Sequence, residues 1–225
     1  MTKLEGVRAC VFDAYGTLFD VHAPMRKLAA EIGEKAGDIS RLWRQKELEY
    51  TCLRSLMGAH ADFWHVTGDA LDYALESFGV NEAGLKDEIM ALYLKLEPYP
   101  DVKEALQAVK SRSKMTAILS NGSPAMLDAA VRSAGLDKLI DMVLSAEDVG
   151  IYKPSRRVYR HAMQKLQLHE APALCFVSAH SWDAQAAAQF GFQAVRIDRF
   201  GLKDDRIPGK VAAAIADLSE LAKLI

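Results

Sequence analysis

Short apolar runs recur along this chain, and each is followed by a stretch with helical periodicity. The runs are nearly continuous in buried-type residues, which is typical of parallel strands covered on both faces. Strands that alternate with helices predict a doubly wound parallel sheet, and such sheets form their sites at the carboxyl ends of the strands. The predicted strands are residues 7–12, 115–120, 141–145, 173–178 and 193–197, and the predicted helices are residues 101–112, 124–134, 155–166 and 182–190.

One block of the chain interrupts this alternation. Residues 20–97 show helical periodicity and no clear strand, and Pro98 and Pro100 end the block. A helical block that follows the first strand is expected to be an insertion into the sheet domain. We therefore predict an α/β fold with a Rossmann-like parallel-sheet core, made of residues 1–19 and 98–225, and an inserted helical cap, made of residues 20–97.

Three stretches of the block have the pattern of amphipathic helices, and the first carries four leucines among its charges. Near the hinges of the block, His22 is expected to be structural and Asp101 is placed to cap the next helix. The last residues, 209–225, predict a closing helix. The three amphipathic stretches are residues 41–57, 69–80 and 85–96, and the leucines are Leu42, Leu48, Leu53 and Leu56.

Composition limits the classes of partner. Half of the 225 residues are hydrophobic, the formal net charge is -2 and no basic run stands out, so we expect neither nucleic acid nor a membrane as a partner. No apolar run approaches the ~18 residues that span a bilayer. The N-terminal MTKLEGVRAC lacks the apolar core of a signal peptide. Cys10, Cys52 and Cys175 are widely spaced and are expected to be packed, reduced thiols, which favours a cytoplasmic protein.

Polar side chains stand at the tips of the first two predicted strands. Asp13 ends the first strand in ACVFDAYGTLFD, as either an ordinary turn aspartate or a nucleophile or metal ligand. Ser120 and Asn121 end the second strand, just before a helix that starts at Pro124. Small polar groups and free backbone N–H groups there suit an anion, although an ordinary N-cap turn has the same sequence.

Two later tips carry further titratable groups. Lys153 precedes a proline just before a predicted helix, and it is either a solvated surface lysine or a group that neutralises Asp13. Ser178, His180 and Asp183 crowd one strand-to-helix turn, where helix capping and a surface histidine are the alternative. At any single strand tip, the structural alternative would be a sufficient explanation of the residues. All four tips together, at one edge of a parallel sheet, predict an active site.

This order of motifs resembles the haloacid dehalogenase superfamily: an aspartate in FDAYGTL, then a serine, a lysine and an acid at later tips. In its phosphatases the residue two places after the nucleophile is usually a second aspartate, the general acid/base, and the last motif usually has an acidic pair that helps hold magnesium. Here Tyr15 takes the first place, and Ser178 and Ala179 stand where the first acid of the pair would be, so that only Asp183 remains. Both departures argue against a magnesium-dependent phosphatase.

The chain is more specifically similar to the (S)-2-haloacid (L-2-haloacid) dehalogenases, from about residue 6 to residue 200. The motifs that carry the similarity are DAYGTLFD, LWRQKELEYTCLRSLMG, ADFW, SNGSP, YKPS and SWDA. The resemblance implies that an aspartate displaces halide from C2 of a short (S)-2-haloacid with inversion. Water then hydrolyses the aspartyl ester and releases the (R)-2-hydroxy acid. It also implies a homodimer that uses no metal and no other cofactor and whose ligands are the 2-haloacid and halide.

The resemblance assigns a catalytic role to each matching residue at the strand tips. Asp13 would be the nucleophile and Thr17 would orient it. Lys153 would keep Asp13 ionised and stabilise the developing charge. The residues that would organise this lysine and the hydrolytic water are Tyr159, Ser178 and Asp183.

The same resemblance assigns the substrate contacts. Arg44, on the first cap helix, would grip the leaving halide and favour an anionic substrate. Ser120 and Asn121 would hold the substrate carboxylate. The remaining residues implied to wall the substrate pocket are Tyr15, Gln45, Leu48, Phe63 and Trp182.

Two of these residues leave alternatives open. Arg44 could pair with Glu47 or Glu49 on a solvated helix face, but the match over WRQKELEY favours the halide contact. His180 stands where the family commonly has asparagine. It is either a polar substitute that holds water or a general base, even for direct attack of water on C2, since its unperturbed pKa lies near working pH. The predicted route remains the covalent one through Asp13.

Three functions follow as hypotheses: a hydrolytic 2-haloacid dehalogenase, a phosphatase of the same superfamily acting on a small phosphorylated metabolite, and a binding protein that kept the fold. Displacing halide creates no leaving oxygen to protonate, so a second aspartate at position 15 would have no use and would repel a carboxylate substrate. Tyr15 therefore favours the dehalogenase. The retained Asp13, Arg44, Lys153 and Asp183 argue against a binding protein.

Overall fold

One parallel sheet forms the centre of the computed structural model, which describes residues 3–225. Its strands are β1 (Ala9–Phe12), β2 (Met115–Ser120), β3 (Met142–Ser145), β4 (Leu174–Ser178), β5 (Gln193–Ile197) and β6 (Ala213–Ile215). They lie in the order β3-β2-β1-β4-β5-β6, and all neighbours are parallel. The predicted parallel sheet is confirmed, with β6 as an additional edge strand.

Helices connect these strands as a doubly wound fold requires. They are α1 (Ala23–Lys27), α2 (Ala29–Ile32), α3 (Ala36–Met57), α4 (Phe63–Ser77), α5 (Leu85–Tyr93), α6 (Val102–Lys110), α7 (Pro124–Ser133), α8 (Arg156–Lys165), α9 (Ser181–Phe190) and α10 (Leu221–Leu224). Helices α6 to α9 alternate with strands β2 to β5, whereas α1 to α5 follow one another between β1 and α6. The predicted Rossmann-like α/β class is confirmed.

The position of β1 in the sheet determines where a site can form. Every residue of β1 is fully buried, as its continuous apolar sequence predicts. The chain passes from β1 to β2 and β3 on one side of the sheet and to β4, β5 and β6 on the other. This reversal of strand order opens a crevice at the carboxyl ends of β1, β2 and β4. Asp13, Ser120 and Ser178 lie at those three ends.

The long helix α3 covers the predicted amphipathic stretch of residues 41–57, but its buried face is not made of the leucines. Leu53 is 45% exposed and Leu56 is 81% exposed, so these two leucines lie outside the buried face. The buried positions recur every three or four residues, which is the spacing of one helical face. They are Ala36, Ile39, Ser40, Trp43, Glu47 and Thr51. Half of the residues on this buried face are polar, so the positions of the leucines do not reveal it.

The chain leaves and re-enters the sheet domain through two linkers that lie side by side. The N–H of Asp20 donates to the carbonyl of Glu97 at 3.0 Å, and the N–H of Tyr99 donates to the carbonyl of Leu18 at 2.9 Å. These bonds tie the start of the helical block to its end. Such paired linkers provide two adjacent backbone segments about which a helical block could move.

Two predictions near the second linker and the chain end are wrong. Asp101 makes no capping hydrogen bond at α6, because its carboxylate instead accepts from the Arg199 guanidinium and from the N–H of Leu218. The expected closing helix over residues 209–225 is β6, a 3₁₀ turn and the short α10. Asp217 caps that turn, and its side chain accepts from the N–H of Ser219 at 2.8 Å.

The cysteines and the membrane prediction have separate outcomes. Cys10 and Cys175 lie opposite each other on β1 and β4 and are buried as free thiols, whereas Cys52 is an exposed free thiol and so is not packed as predicted. None of the helices in residues 3–225 is both long enough and apolar enough to cross a membrane.

Candidate active site

Asp13 lies one residue beyond β1, where the turn that follows holds its carboxylate. The N–H of Asp13 still donates to the carbonyl of Val177 at 2.9 Å, which extends the pairing of β1 with β4. The Thr17 hydroxyl donates to Oδ2 of Asp13 at 2.9 Å and accepts from the N–H of Ala179 at 2.9 Å. Thr17 therefore fixes the carboxylate relative to the tip of β4, as the orienting role requires.

Lys153 joins Asp13 to a second buried acid. Its Nζ lies 3.1 Å from Oδ1 of Asp13 and 2.8 Å from Oδ2 of Asp183. The Tyr159 hydroxyl donates to the other oxygen of Asp183 at 2.7 Å. The N–H of Lys153 donates to Oδ1 of Asn121 at 2.9 Å, so the lysine backbone is also anchored to the tip of β2. This network holds one cation between two carboxylates with almost no access for solvent.

Electrostatics keep Asp13 ionised despite its burial. Burial alone would raise the pKa of Asp13, but the charges of Lys153 and Arg44, with the hydrogen bond from Lys153, outweigh it and hold the pKa below its usual range. Burial likewise opposes the charge of Lys153, but Asp13 and Asp183 raise the pKa of the lysine above its usual range. The result is an ionised carboxylate with a cation beside it, which is what a carboxylate nucleophile requires.

The donor set at these tips does not suit a divalent cation. The two carboxylates at these tips, Asp13 and Asp183, are already paired with the ammonium of Lys153, and Tyr15 offers no third carboxylate. Within residues 3–225, no group of three or more His, Cys, Asp or Glu side chains is arranged to hold a metal ion. The residues therefore do not fit the magnesium site that the phosphatases of the superfamily would imply.

Arg44 extends from α3 towards the strand tips. Its Nη1 pairs with Glu47, and its Nη2 lies 3.0 Å from Nε2 of His180. Burial opposes the charge, but Glu47, Tyr93 and Asp13 raise the pKa of Arg44 above its usual range. The alternative pairing with Glu47 does exist, but the helix face is buried and not solvated, because only 16% of the Arg44 side chain and 1% of the Glu47 side chain are exposed.

His180 lies between Arg44 and the turn after β1. Its Nε2 is 2.9 Å from the carbonyl oxygen of Tyr15 and 3.9 Å from Oδ2 of Asp13. Its ring is flanked by Trp182 and Phe200, with both ring centroids near 6 Å and nearly parallel planes. Burial and the charge of Arg44 lower the pKa of His180 to about 4, so the imidazole is neutral at neutral pH.

Two glycines make room for these side chains. A Cβ on Gly16 would lie 2.9 Å from Nε2 of His180, and the φ of Gly16 is +85°, which side chains rarely adopt. A Cβ on Gly122 would lie 2.6 Å from the ring of Tyr15. Glycine at both places lets the Tyr15 and His180 side chains pack against the strand tips.

A small cavity lies between the strand tips and α3. Its apolar wall is made by aromatic rings and Leu48, and its polar groups converge on Asp13. The Ser120 hydroxyl, at its edge, accepts from the N–H of Gly122 at 3.1 Å. The lining residues are Asp13, Tyr15, Arg44, Leu48, Phe63, Ser120, Asn121, Lys153, His180 and Trp182.

The predicted site residues lie at the cavity or directly behind it, except for Gln45. Gln45 is exposed and does not line the cavity, because one residue along a helix turns the side chain by about 100° away from Arg44. Leu48, one full turn after Arg44, does line it. Ser178 is fully buried, and its hydroxyl accepts from the N–H of His180 at 3.2 Å, so it supports the loop from behind.

Residues behind the cavity were not predicted as part of the site. Glu47, Thr67 and Tyr93 form a buried polar group behind Arg44. The sequence did contain one indication of this group. Glu47 lies at helical spacing from Trp43 and Thr51, on the buried face of α3, and an acid on a buried face needs a partner. His22, expected to be structural, has its Nδ1 2.8 Å from the hydroxyl of Ser40.

Comparisons with known proteins agree on one family. The sequence profile of the haloacid dehalogenase-like hydrolases matches residues 7–191. The (S)-2-haloacid dehalogenase 4A of Burkholderia cepacia is 44% identical over 223 residues, which cover 99% of this chain and 96% of that protein. The (S)-2-haloacid dehalogenase 1 of Pseudomonas sp. (strain CBS-3) is also 44% identical, and the match covers 99% of this chain and 98% of that protein.

A solved structure resembles this chain over almost its whole length. It is the L-2-haloacid dehalogenase from Xanthobacter autotrophicus with chloropropionic acid covalently bound. The TM-score is 0.89 at 33% identity, with 97% of this chain and 98% of that chain covered. With 44% identity over nearly the full length of two curated relatives and a profile match over most of its residues, the chain belongs to the haloacid dehalogenase-like hydrolases.

Proposed function

We propose that this protein is a hydrolase of carbon–halide bonds that converts short (S)-2-haloalkanoic acids to (R)-2-hydroxy acids. The observation that carries the proposal is an ionised, buried aspartate that faces a small closed cavity with a cationic arginine on its wall. Asp13 is held by Thr17 and Lys153, and Arg44 lines the same cavity. The relatives named above act as (S)-2-haloacid dehalogenases, which supplies the substrate class and its configuration.

The first step is a displacement at carbon. An oxygen of Asp13 forms a bond to C2 from the side opposite the halogen, and the carbon–halogen bond breaks with its electron pair on the halide. The configuration at C2 therefore inverts, and the product is an aspartyl ester. No proton is transferred, which agrees with a tyrosine at position 15 whose phenol is kept protonated, because burial and the charge of Glu47 raise the pKa of Tyr15. A covalently bound acid in the related structure supports an ester.

Two groups of side chains would hold the ends of the substrate. The carboxylate is assigned to Ser120 and Asn121, whose free amide N–H₂ complements the Oδ1 already used by Lys153. The leaving halide is assigned to Arg44. A guanidinium in a cavity from which water is excluded stabilises a developing anion more than it would in water.

The second step returns the enzyme to its starting state. Water attacks the Asp13 carbonyl carbon, the bond from that carbon to the ester oxygen breaks, and that oxygen leaves with C2 as the hydroxyl group. The net reaction consumes one water and releases halide and one proton. Asp183, Tyr159 and Ser178 are proposed to organise Lys153 and this water. His180, neutral with a pKa of about 4, is proposed to hold the water as asparagine does in the family, since its basicity near pH 7 is low.

The route through the ester has a direct test. A single turnover in oxygen-18 water, with enzyme in excess over substrate, should place the label in Asp13, and a peptide mass would reveal it. Label found only in the hydroxy acid would overturn the ester and would support direct attack of water on C2 with His180 as the base.

The proposed activity is tested by halide release from (S)- and (R)-2-chloropropionate. We expect release from the (S) form alone, unchanged by EDTA and abolished in Asp13→Asn. The alternative function, a phosphatase of the same superfamily, predicts no release from either form and a magnesium-dependent activity on a small phosphorylated metabolite. That outcome would overturn the dehalogenase.

We also propose the division of the chain and its assembly. Residues 20–97 act as a cap on a core made of residues 1–19 and 98–225, and the paired linkers at Asp20–Glu97 and Leu18–Tyr99 support this division. The homodimer is proposed from the family resemblance. A patch of exposed apolar side chains on α3 and α4 supports it: Leu53, Leu56, Met57 and Tyr73.

A further inference from the structure

Arg44 is held by a buried acid that the proposed chemistry does not itself use. Glu47 lies three residues after Arg44 on α3, and its Oε2 pairs with Nη1 of the guanidinium. Only 1% of the Glu47 side chain is exposed. A carboxylate this deeply buried is stable only when its oxygens are fully partnered, so the contacts of its second oxygen are informative.

The second oxygen of Glu47 is fixed from two other helices. The Thr67 hydroxyl, on α4, donates to Oε1 at 2.8 Å, and the Tyr93 hydroxyl, on α5, donates to the same oxygen at 3.3 Å. Both residues are buried, and the carbonyl of Thr67 in turn accepts from the indole N–H of Trp43 at 2.9 Å. Three helices of the cap therefore converge on one carboxylate, which leaves it little freedom to move.

This anchoring determines which edges of the Arg44 guanidinium remain available. With Nη1 turned to Glu47, Nη2 lies 3.0 Å from His180 at the cavity wall. Among residues 3–225, Nε of Arg44 is buried without a hydrogen-bond partner, and so is the hydroxyl of Tyr15. Because the guanidinium is planar and rigid, fixing one edge also fixes the direction of the others.

We propose that Glu47 is a positioning residue for the leaving group: it orients Arg44 so that the free edges of the guanidinium face the departing halide. The proposal rests on the proposed function, since it needs halide to leave beside Arg44. Glu47 touches neither substrate nor Asp13 in this arrangement and acts only through Arg44.

The proposal makes a prediction that a purely structural role would not. Chloride is a poorer leaving group than bromide, so its departure depends more on stabilisation by Arg44. If Glu47 is neutralised, the displacement of chloride should slow more than that of bromide. A loss of folded protein would instead lower both rates by the same factor.

The experiment compares Glu47→Gln with the unsubstituted protein on (S)-2-chloropropionate and (S)-2-bromopropionate, using pre-steady-state halide release to isolate the displacement step. We expect the rate with chloride to fall by about 10- to 100-fold, as for a displaced catalytic group, and the bromide-to-chloride rate ratio to rise several-fold. Glu49→Gln is the matched control, because Glu49 lies on the same helix with 40% of its side chain exposed, pairs with Lys46 and should leave the ratio unchanged.

A second variant guards against misfolding of Glu47→Gln. Thr67→Val removes one donor to Glu47 but leaves both charges in place, and it should raise the same ratio by a smaller factor. An unchanged ratio in both variants, with halide release intact in the unsubstituted protein, would overturn the positioning role alone. No halide release from the unsubstituted protein would overturn the proposed function and the positioning role with it.

Discussion

At the scale of single residues, the site is built by burying charges and compensating each one. Asp13 and Asp183 share the ammonium of Lys153, and Glu47 accompanies Arg44. Removing one partner of such a pair leaves an uncompensated buried charge, which is more costly than the pair itself. The consequence for function is that few geometries are open to these charged side chains, and that Asp13, the proposed nucleophile, is ionised before substrate enters.

His180 is the titratable group whose burial should be visible in stability. Its pKa is about 4 in the folded chain and near 6.5 when unfolded, so the unfolded chain takes up the proton first as the pH falls. Stability should therefore decrease from pH 6.5 to pH 4, by up to about 3 kcal/mol from this group. His180→Asn should remove that part of the slope, as measured by urea unfolding at several pH values. Identical slopes for the two proteins would contradict the buried neutral histidine.

Leu48 is a candidate for the residue that limits the length of the substrate chain. It lines both the active-site cavity and a neighbouring, mainly apolar groove that also includes Thr51, Cys52 and Trp182. Leu48→Ala should join the two spaces. Each further methylene of the substrate that enters the groove would gain up to about 0.8 kcal/mol.

The measurement for Leu48→Ala is kcat/KM for (S)-2-chlorohexanoate relative to (S)-2-chloropropionate. We expect the ratio to rise by at least about tenfold, which corresponds to two buried methylenes. Leu53→Ala is the control, because Leu53 lies on the same helix but is 45% exposed and does not line the cavity. A ratio that is equal in both variants would show that Leu48 does not set the limit.

At the scale of elements, the sequence predicted the strands better than the helices of the cap. The run MTAILS coincides with β2, and VRACVF contains β1, because buried parallel strands have an apolar signal that needs no periodicity. The same runs placed Asp13 and Ser120 at strand tips correctly. In contrast, the leucines of α3 did not indicate its buried face, because that face includes Ser40, Glu47 and Thr51. The partners of Glu47 come from α4 and α5, which the sequence of α3 cannot show.

Contacts between distant elements could also not be predicted from the sequence pattern. Arg199, in the loop after β5, binds Asp101 through two hydrogen bonds of 2.8 Å and donates to the carbonyl of Thr17 at 3.2 and 3.3 Å. Its guanidinium also lies 4.3 Å from the ring centre of Tyr99. One side chain thus connects the β1 turn, the second linker and the loop after β5. Residues this far apart in the chain leave no local pattern to read.

This connection gives a prediction for stability. Arg199→Met should lower the free energy of unfolding by about 3 kcal/mol, because it leaves Asp101 largely buried without its cation. Arg196→Met is the matched control: Arg196 is paired with the more exposed Asp198 and Asp204, and its loss should cost less than about 1 kcal/mol. Urea unfolding of both variants measures the difference. Equal losses would mean that the Arg199 contacts carry no special weight.

At the scale of the whole molecule, the site lies where two parts of the chain meet. The strand tips supply Asp13, Ser120, Asn121, Lys153 and His180, and α3 and α4 supply the opposite wall. The cavity has no wide opening, so we expect the helical block of residues 20–97 to move when substrate enters. The paired linkers are the place where such movement requires the fewest contacts to change.

The proposed homodimer gives the last prediction. Leu56 is 81% exposed and Met57 is 75% exposed at the end of α3, and Leu53 and Tyr73 continue the same apolar patch. Apolar side chains grouped in this way mark association surfaces more often than single exposed leucines do. A dimer through this patch would pair identical surfaces about a two-fold axis, so one substitution would place two charges at the interface.

Leu56→Glu should therefore convert the dimer to a monomer, because two carboxylates would be buried together without partners. Leu202→Glu is the matched control, because Leu202 is 65% exposed in a loop after β5 and lies outside the patch.

Size-exclusion chromatography with light scattering gives the mass of each protein at micromolar concentration. A mass near 25 kDa for the unsubstituted chain would contradict the dimer, since one chain has a mass of 24.8 kDa. If Leu56→Glu is still a dimer, the interface must lie on another surface. If the monomeric variant keeps its kcat, each active site is complete within one chain.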